Sequence, residues 1–182
     1  TTRYILGVCQ FKTKDYSNAV ESLEGVIGED NAMGQSAYLI IGQSLLKQND
    51  THAAVMALDK AVKMNHDIEI QEVAFYNYAV ASLQGGSIPF GNLVENFEEF
   101  LRRYPNSKYV PKVQEYIVTG YMTDNNYERA YRSIERINNP SDAILKAKQR
   151  VLYSLATRNY ANGNVDEALN QFLGSKELSQ YD

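Results

Sequence analysis

The 182-residue chain contains one cysteine, no tryptophan, two histidines and four prolines. A lone thiol, Cys9, cannot close an intrachain disulfide, and without a CxxC pair there is neither a zinc knuckle nor a dithiol redox centre. Cys9 reads as a small buried hydrophobe, and a single thiol fits a reducing compartment as well as an oxidising one. The histidines, His52 and His66, have no HExxH or other ligand spacing and read as a helix-start and a turn residue. No GxSxG elbow, P-loop or GxGxxG fingerprint occurs. The "LQGGS" at 83–87 lacks both the flanking strand and the closing Lys-Ser/Thr of a phosphate cradle. Glu98 and Glu99 are neighbours on one helix and do not face each other across a cleft. The expectation is a protein that is not an enzyme, with no cofactor, no metal and no catalytic residue.

Charge is also sparse. Eighteen Lys and Arg stand against 22 Asp and Glu, a net charge of −4, which argues against nucleic-acid and membrane-surface partners, since both need basic patches. The denser basic groups, Arg102, Arg103, Lys108 and Lys112, then Lys146, Lys148 and Arg150, read as solvated helix faces. Asn49-Asp50-Thr51 fits the glycosylation pattern, a weak signal at that length. Neither a secretory leader pattern nor a long apolar span is present, so no direct membrane insertion is expected. The chain opens at Thr1 without an initiator Met, and the expectation is a segment of a longer array.

What the sequence does have is self-similarity. "FKTKDYSNAVESL" at 11–23 returns as "LKQNDTHAAVMAL" at 46–58, pairing Lys12 with Lys47, Asp15 with Asp50, Ala19 with Ala54 and Leu23 with Leu58. It returns again as "MTDNNYERAYRSI" at 122–134 and "YANGNVDEALNQF" at 160–172, with "LQGGSIPFGNLVENF" at 83–97 carrying the same ends around two extra residues. Aligned on Ala19, Ala54, Leu93, Ala130 and Ala168, the spacings are 35, 39, 37 and 38. Periods in this range mark stacked supersecondary units.

Each unit reads as a helical hairpin. Around the first copy, Leu6, Phe11, Val20, Leu23, Val26 and Ile27 recur at helical spacing on either side of the polar break "KTKD". Asp15, Asp50, Asn125 and Asn164 stand where a short polar side chain caps the second helix, and Glu167 after Asn164 suggests a capping box. Gly85, Gly86, Pro89 and Gly91 predict a longer, looser third turn. Twelve residues before each second-half alanine lies another restricted position, Gly7, Gly42, Val118 and Ala156, with Ala79 fourteen before Leu93. Mid-helix glycine costs about 1 kcal/mol relative to alanine, so Gly7 and Gly42 predict helices crossing too closely for a side chain. Leu6, Ile41, Tyr78, Ile117 and Leu155, then Leu23, Leu58, Phe97, Ile134 and Phe172, are expected to fill the space around each crossing.

On these residues the chain resembles the tetratricopeptide repeat (TPR) family. Tyr38, Ile41, Gly42, Leu45, Ala54, Leu58 and Ala61 occupy the motif positions of the second copy, and Leu6, Gly7, Tyr16, Ala19, Leu23 and Val26 those of the first. The later copies are degenerate, with Leu93 for alanine and Val118 for the small crossing residue. The resemblance implies an all-α, right-handed α-solenoid of about five antiparallel hairpins, one TPR-like domain over 1–182 with repeats at about 1–30, 31–66, 67–106, 107–140 and 141–182. A narrower stretch, "FEEFLRRYPNSKYVPKVQEYI" at 97–117, is similar to bacterial cell-envelope repeat proteins such as the outer-membrane barrel-assembly lipoprotein and the Tol–Pal coordinator. Its Pro105 ends one helix, and Asn106 or Ser107 is expected to cap the next. This implies a periplasmic or outer-membrane-associated location, with the cytoplasm as the alternative.

In an α-solenoid the first helices line a concave partner surface. The family's pattern implies a groove made by Tyr4, Val8, Phe11 and Lys12, then Leu39, Gln43, Leu46 and Lys47, then Tyr76, Val80, Leu83 and Gln84. Glu115, Thr119, Met122 and Thr123, then Tyr153, Thr157, Tyr160 and Ala161, complete it. Lys12 and Lys47 without groove asparagines do not make the family's carboxylate clamp. The aromatic and aliphatic content suits an apolar or extended protein segment instead. The expected function is a protein-interaction scaffold for a protein or peptide partner. The alternatives are a glycan-binding helical-repeat protein, with sugars on tyrosine faces, and a purely structural spacer. Leu169, Phe172, Leu173 and Leu178 have no evident cover in the last copy, which predicts self-association through uncapped terminal repeats.

Overall fold

Glycine mid-helix, alanine at each crossing and a polar break between them dictate paired helices, and a computed structural model of the chain contains ten among its described residues. Residues 2–28, 30–85 and 90–179 are described, the side chains of 90–93 excepted. Among them there is no strand, and the fold is all-α. The chain divides into two compact units, Thr1–Pro89 and Phe90–Asp182. The first holds α1 (Thr2–Lys12), α2 (Tyr16–Glu24), α3 (Ala32–Lys47), α4 (Thr51–Lys63) and α5 (Ile68–Gly85). The second holds α6 (Phe90–Arg103), α7 (Val110–Thr123), α8 (Tyr127–Glu135), α9 (Asp142–Ala161) and α10 (Val165–Glu177). Within each unit every helix packs on the one before it, and α3 also touches α1 and α5, as α7 touches α9.

Four tight turns share one backbone solution. Lys14, Asn49, Asn125 and Gly163 take positive φ of 66, 63, 54 and 82°, the left-handed state that lets the chain leave one helix and enter the next. The following amide in each case closes back five residues. Asp15 N–H donates to Gln10 O at 2.8 Å, Asp50 to Leu45 at 3.0 Å, Asn126 to Tyr121 at 2.8 Å and Asn164 to Asn159 at 2.9 Å. The cap of α8 is therefore Asn126, accepting from Arg129 N–H, and Asn125 is the left-handed residue before it. Asp50 caps α4 as expected, accepting from Ala53 N–H at 3.1 Å. Asp15 and Asn164 occupy the cap position without making a cap bond. Asp15 instead accepts from the Asn18 carboxamide, and the Glu167 carboxylate accepts from Gln171 where a capping box was expected. Gly86 and Pro89 of the third turn lie outside the described residues, as does the side chain of Leu93. Neither Asn106 nor Ser107 caps α7. Its N-cap is Tyr109, whose N–H donates to Ser107 Oγ at 3.0 Å.

The small residues do what their positions require. A Cβ on Gly7 would sit 2.5 Å from Leu23 Cγ, and one on Gly42 would sit 2.5 Å from Leu58 Cγ. Both leucines are fully buried. Ala19, Ala54, Ala79, Ala130, Ala156 and Ala168 are buried as well. In the first unit Leu23, Val26, Ala37, Ile41 and Ala57 form one cluster, and Leu39, Leu58, Ala61, Ala74 and Ala81 a second. In the second unit Phe97, Phe100, Val113, Ile117 and Val118 are buried, with the Phe97 ring stacked 5.0 Å from Tyr116. Gly120 makes a further close crossing, its missing Cβ 2.6 Å from Val94 Cγ2.

Four expected core positions are not core, Tyr78 among them, half-buried against the Leu39 and Leu58 cluster. Leu6 is 49% exposed: its counterpart Ile41 packs on Leu23 and Val26 of the preceding hairpin, and among the described residues no hairpin precedes α1. Cys9 is exposed, because two residues of helix rotate it about 200° from Gly7, off the crossing face. Phe172 is only half-buried, its edge against Tyr153 at 5.7 Å.

Two buried polar side chains hold the corner after α4. Gln35, fully buried, donates through Nε2 to the carbonyls of Ala61 and Met64, and its Oε1 accepts from the N–H groups of His66 and Asp67. Gln71 donates to Val62 O and Met64 O. Together they satisfy backbone groups freed where one hairpin ends, which buried amides require.

Candidate functional site: the first-helix face

The face named by the motif positions is unevenly available. On α1, Tyr4 is half-buried with its hydroxyl 2.8 Å from Ser36 Oγ, and Phe11 stands edge-on to Tyr16 at 5.8 Å. Val8 is half-buried and Lys12 exposed. On α3, Leu39 is core, a correction to its expected place in the groove, because α5 closes over that side of α3. Gln43 and Leu46 are half-buried and Lys47 is exposed. On α5, Tyr76, Val80 and Leu83 are half-buried and Gln84 is exposed.

In the second unit Glu115 is engaged, paired to Lys112 at 2.8 Å and accepting from Ser141 Oγ at 3.2 Å. Thr119 and Thr123 are exposed and Met122 half-buried. The most open stretch lies on α9, where Tyr153 is 58% and Tyr160 66% exposed, with Thr157 exposed between them. At i, i+4 and i+7 these three share one helix face. Tyr153 is held by its edge contact with Phe172, and Thr157 Oγ1 donates to the Tyr153 carbonyl at 2.9 Å. Two exposed rings on a rigid helix offer large contact area at low entropic cost.

Ionisable chemistry is quiet. His52 is exposed at the start of α4, and His66 Nε2 lies 2.8 Å from Asp30 Oδ1 beside a cavity of about 380 Å³ also lined by Tyr38 and Lys60. The hydrogen bond from Lys63 to Asp59 raises the lysine pKa. Burial, then its hydrogen bond to Glu98 at 2.6 Å, pushes the Tyr121 phenol up to about 12. No cluster of three potential metal ligands exists among the described residues, and no described helix is long and apolar enough to cross a membrane.

Comparison with known proteins agrees with this architecture. Residues 2–30 and 35–67 each match a tetratricopeptide-repeat family model. No curated protein matches it in sequence. Among solved structures, MamA from AMB-1 is similar at 18% identity, with 98% of this chain and 91% of that one covered and a TM-score of 0.61. MamA from residue 41 to its end, from Desulfovibrio magneticus RS-1, is 13% identical, with 98% and 94% covered and a TM-score of 0.60. A Podosopora anserina kinesin-light-chain protein with nearly identical TPR-like repeats is 15% identical over 97% of this chain and 93% of its own, with a TM-score of 0.57. At such identities the likeness is one of fold.

Proposed function

We propose that the chain is a protein-interaction scaffold that binds a partner segment on the first-helix face of its second unit, with α9 as the principal contact. The observation that carries this reading is the exposed Tyr153–Thr157–Tyr160 stripe, since large aromatic side chains left in water on a rigid element are the residue type that dominates interface energy. A photo-crosslinking residue at Tyr153 or Tyr160 should capture a partner that the same residue at Met56, 60% exposed on the second helix α4, does not. Tyr153→Ala and Tyr160→Ala should weaken that partner while helical circular dichroism stays unchanged. Equal capture from Met56, or undiminished binding in both variants, would remove the site from this face.

The proposal extends to two further points. The Tyr-Pro-Asn-Ser turn at 104–107 supports a cell-envelope location, which fractionation of a source cell would test. Val165, Leu169 and Leu173 are 56%, 56% and 50% exposed at four-residue spacing along α10, and this apolar stripe supports self-association. Sedimentation should show concentration-dependent mass that Leu169→Glu abolishes; a monomer at every concentration would refute it.

A further inference from the structure

The second unit carries a trough away from the first-helix face. Two cavities, of about 400 and 360 Å³, share Gln114, Arg136 and Ile137 in their walls. Arg136 therefore stands at their junction. One cavity runs along α6, α7 and the end of α8, and the other runs between the start of α7 and the start of α9. None of the residues assigned above to the first-helix groove lines either.

The polar groups at this junction are unspent. Arg136 is exposed and makes no ion pair or side-chain hydrogen bond among the described residues, whereas nearby Arg102 is paired with Glu99 and Glu98 accepts from Tyr121. The carboxamides of Gln114, Asn138 and Asn139 likewise have no side-chain partner among the described residues. Beneath them the floor is aliphatic: Ile117 and Ile144 are each 3% exposed, and Ile137 is half-buried between the two cavities.

We propose that this trough binds an extended protein segment with an acidic side chain at Arg136 and an aliphatic residue two positions before and two after it. A free guanidinium is a planar fork that takes a carboxylate through two parallel hydrogen bonds. Because cavity continues on both sides of Arg136, the carboxylate belongs to a side chain within a passing strand and not to a chain end. Extended backbone turns residues i−2, i and i+2 to one side at about 6.6 Å spacing, which places the flanking aliphatic groups over the two halves of the floor. The free carboxamides offer both donors and acceptors to the backbone of such a strand. Glu98 at the far end of the first cavity disfavours a second acid there.

The probe is the blocked heptapeptide acetyl-Thr-Val-Thr-Glu-Thr-Val-Thr-amide, titrated into the full chain and followed by NMR. Saturable shifts of the Gln114, Asn138 and Asn139 side-chain amides are expected, with the central Glu→Gln peptide weaker by about tenfold, as loss of a charged hydrogen bond implies. Arg136→Glu should lose the Glu peptide and prefer its central Lys counterpart, and Gln114→Ala should weaken the Glu peptide at unchanged helicity. Equal binding of Glu and Gln peptides would overturn the inference. So would indifference to Arg136→Glu, equal binding by the free acid acetyl-Thr-Val-Thr, or no saturation by roughly 10 mM, the edge of specific affinity. Variants of Tyr153 and Tyr160 should leave this titration unchanged, which separates it from the first-helix site.

Discussion

Gly42→Ala should destabilise the chain although alanine is the better helix former. The new Cβ would lie 2.5 Å from Leu58 Cγ and 2.8 Å from its Cδ2, with Ala54 O at 3.4 Å. Leu58 cannot swing away, because it is fully buried among Leu39, Ala61 and Ala74. Overpacking of this kind costs about 1–3 kcal/mol, and relief of the glycine penalty returns about 1 kcal/mol, so the net loss is about 1 kcal/mol. Leu58→Ala alone should cost about 2–5 kcal/mol through lost burial and a cavity. In that background the clash is gone, and Gly42→Ala should stabilise by about 1 kcal/mol, a coupling of roughly 2 kcal/mol within the range for touching side chains. Urea denaturation of the four proteins, followed by far-UV circular dichroism, measures all terms. Stabilisation by Gly42→Ala in the wild-type background, or the same effect in both, would refute the close crossing of α3 and α4.

Gly174→Ala is the counter-case: its Cβ would meet Leu152 Cδ1 at 3.4 Å, an ordinary contact, so it should stabilise by about 1 kcal/mol in the same assay. Gln35→Met keeps volume but strands the Ala61 carbonyl and two N–H groups at the α4–α5 corner, Met64 O keeping its bond from Gln71; it should cost about 3 kcal/mol or more, and hydrogen exchange at His66 and Asp67 should quicken first. The Tyr121 phenol, raised to about 12 by burial and Glu98, keeps its proton in the folded state after the unfolded chain has lost it. Its stabilisation is therefore complete below about pH 10 and falls as pH rises toward 12. The stability difference between wild type and Tyr121→Phe should shrink over that window, and a flat difference would contradict the raised value.

How much of this was legible depends on whether a position's physics is local. Gly7 and Gly42 could be read because mid-helix glycine is costly unless a neighbour needs the space, and the leucine it faces sits at a fixed spacing downstream. Asn126 was missed by one residue because Asp124, Asn125 and Asn126 are all plausible caps; counting four back from Ala130, as Asp50 stands to Ala54, selects it. Leu39 was assigned to a surface by motif position, yet its burial is decided by α5, nearly thirty residues on. Gln35 gave no signal at all. A buried glutamine is explained only by its four backbone partners, which the next corner supplies. The Arg136 trough was equally silent, since its walls come from four helices and two connections of the second unit.

The degenerate copies show what the repeat conserves physically. Copies four and five lose motif residues, yet their turns use the same left-handed residue and the same closure over five positions as copies one and two. Lys, Asn and Gly all serve at that left-handed position. Asparagine tolerates it well and lysine pays roughly 1 kcal/mol or more, a small sum against the burial that each correctly aimed hairpin secures. The turn fixes where the second helix starts, and the alanine four residues later then meets the crossing. Side chains outside that short chain of cause are free to vary. The exposed side chains of the surfaces proposed to bind, Tyr153 and Tyr160 on α9 and Arg136 beside α8, stand at such free positions, so each copy can carry its own specificity on an unchanged hairpin.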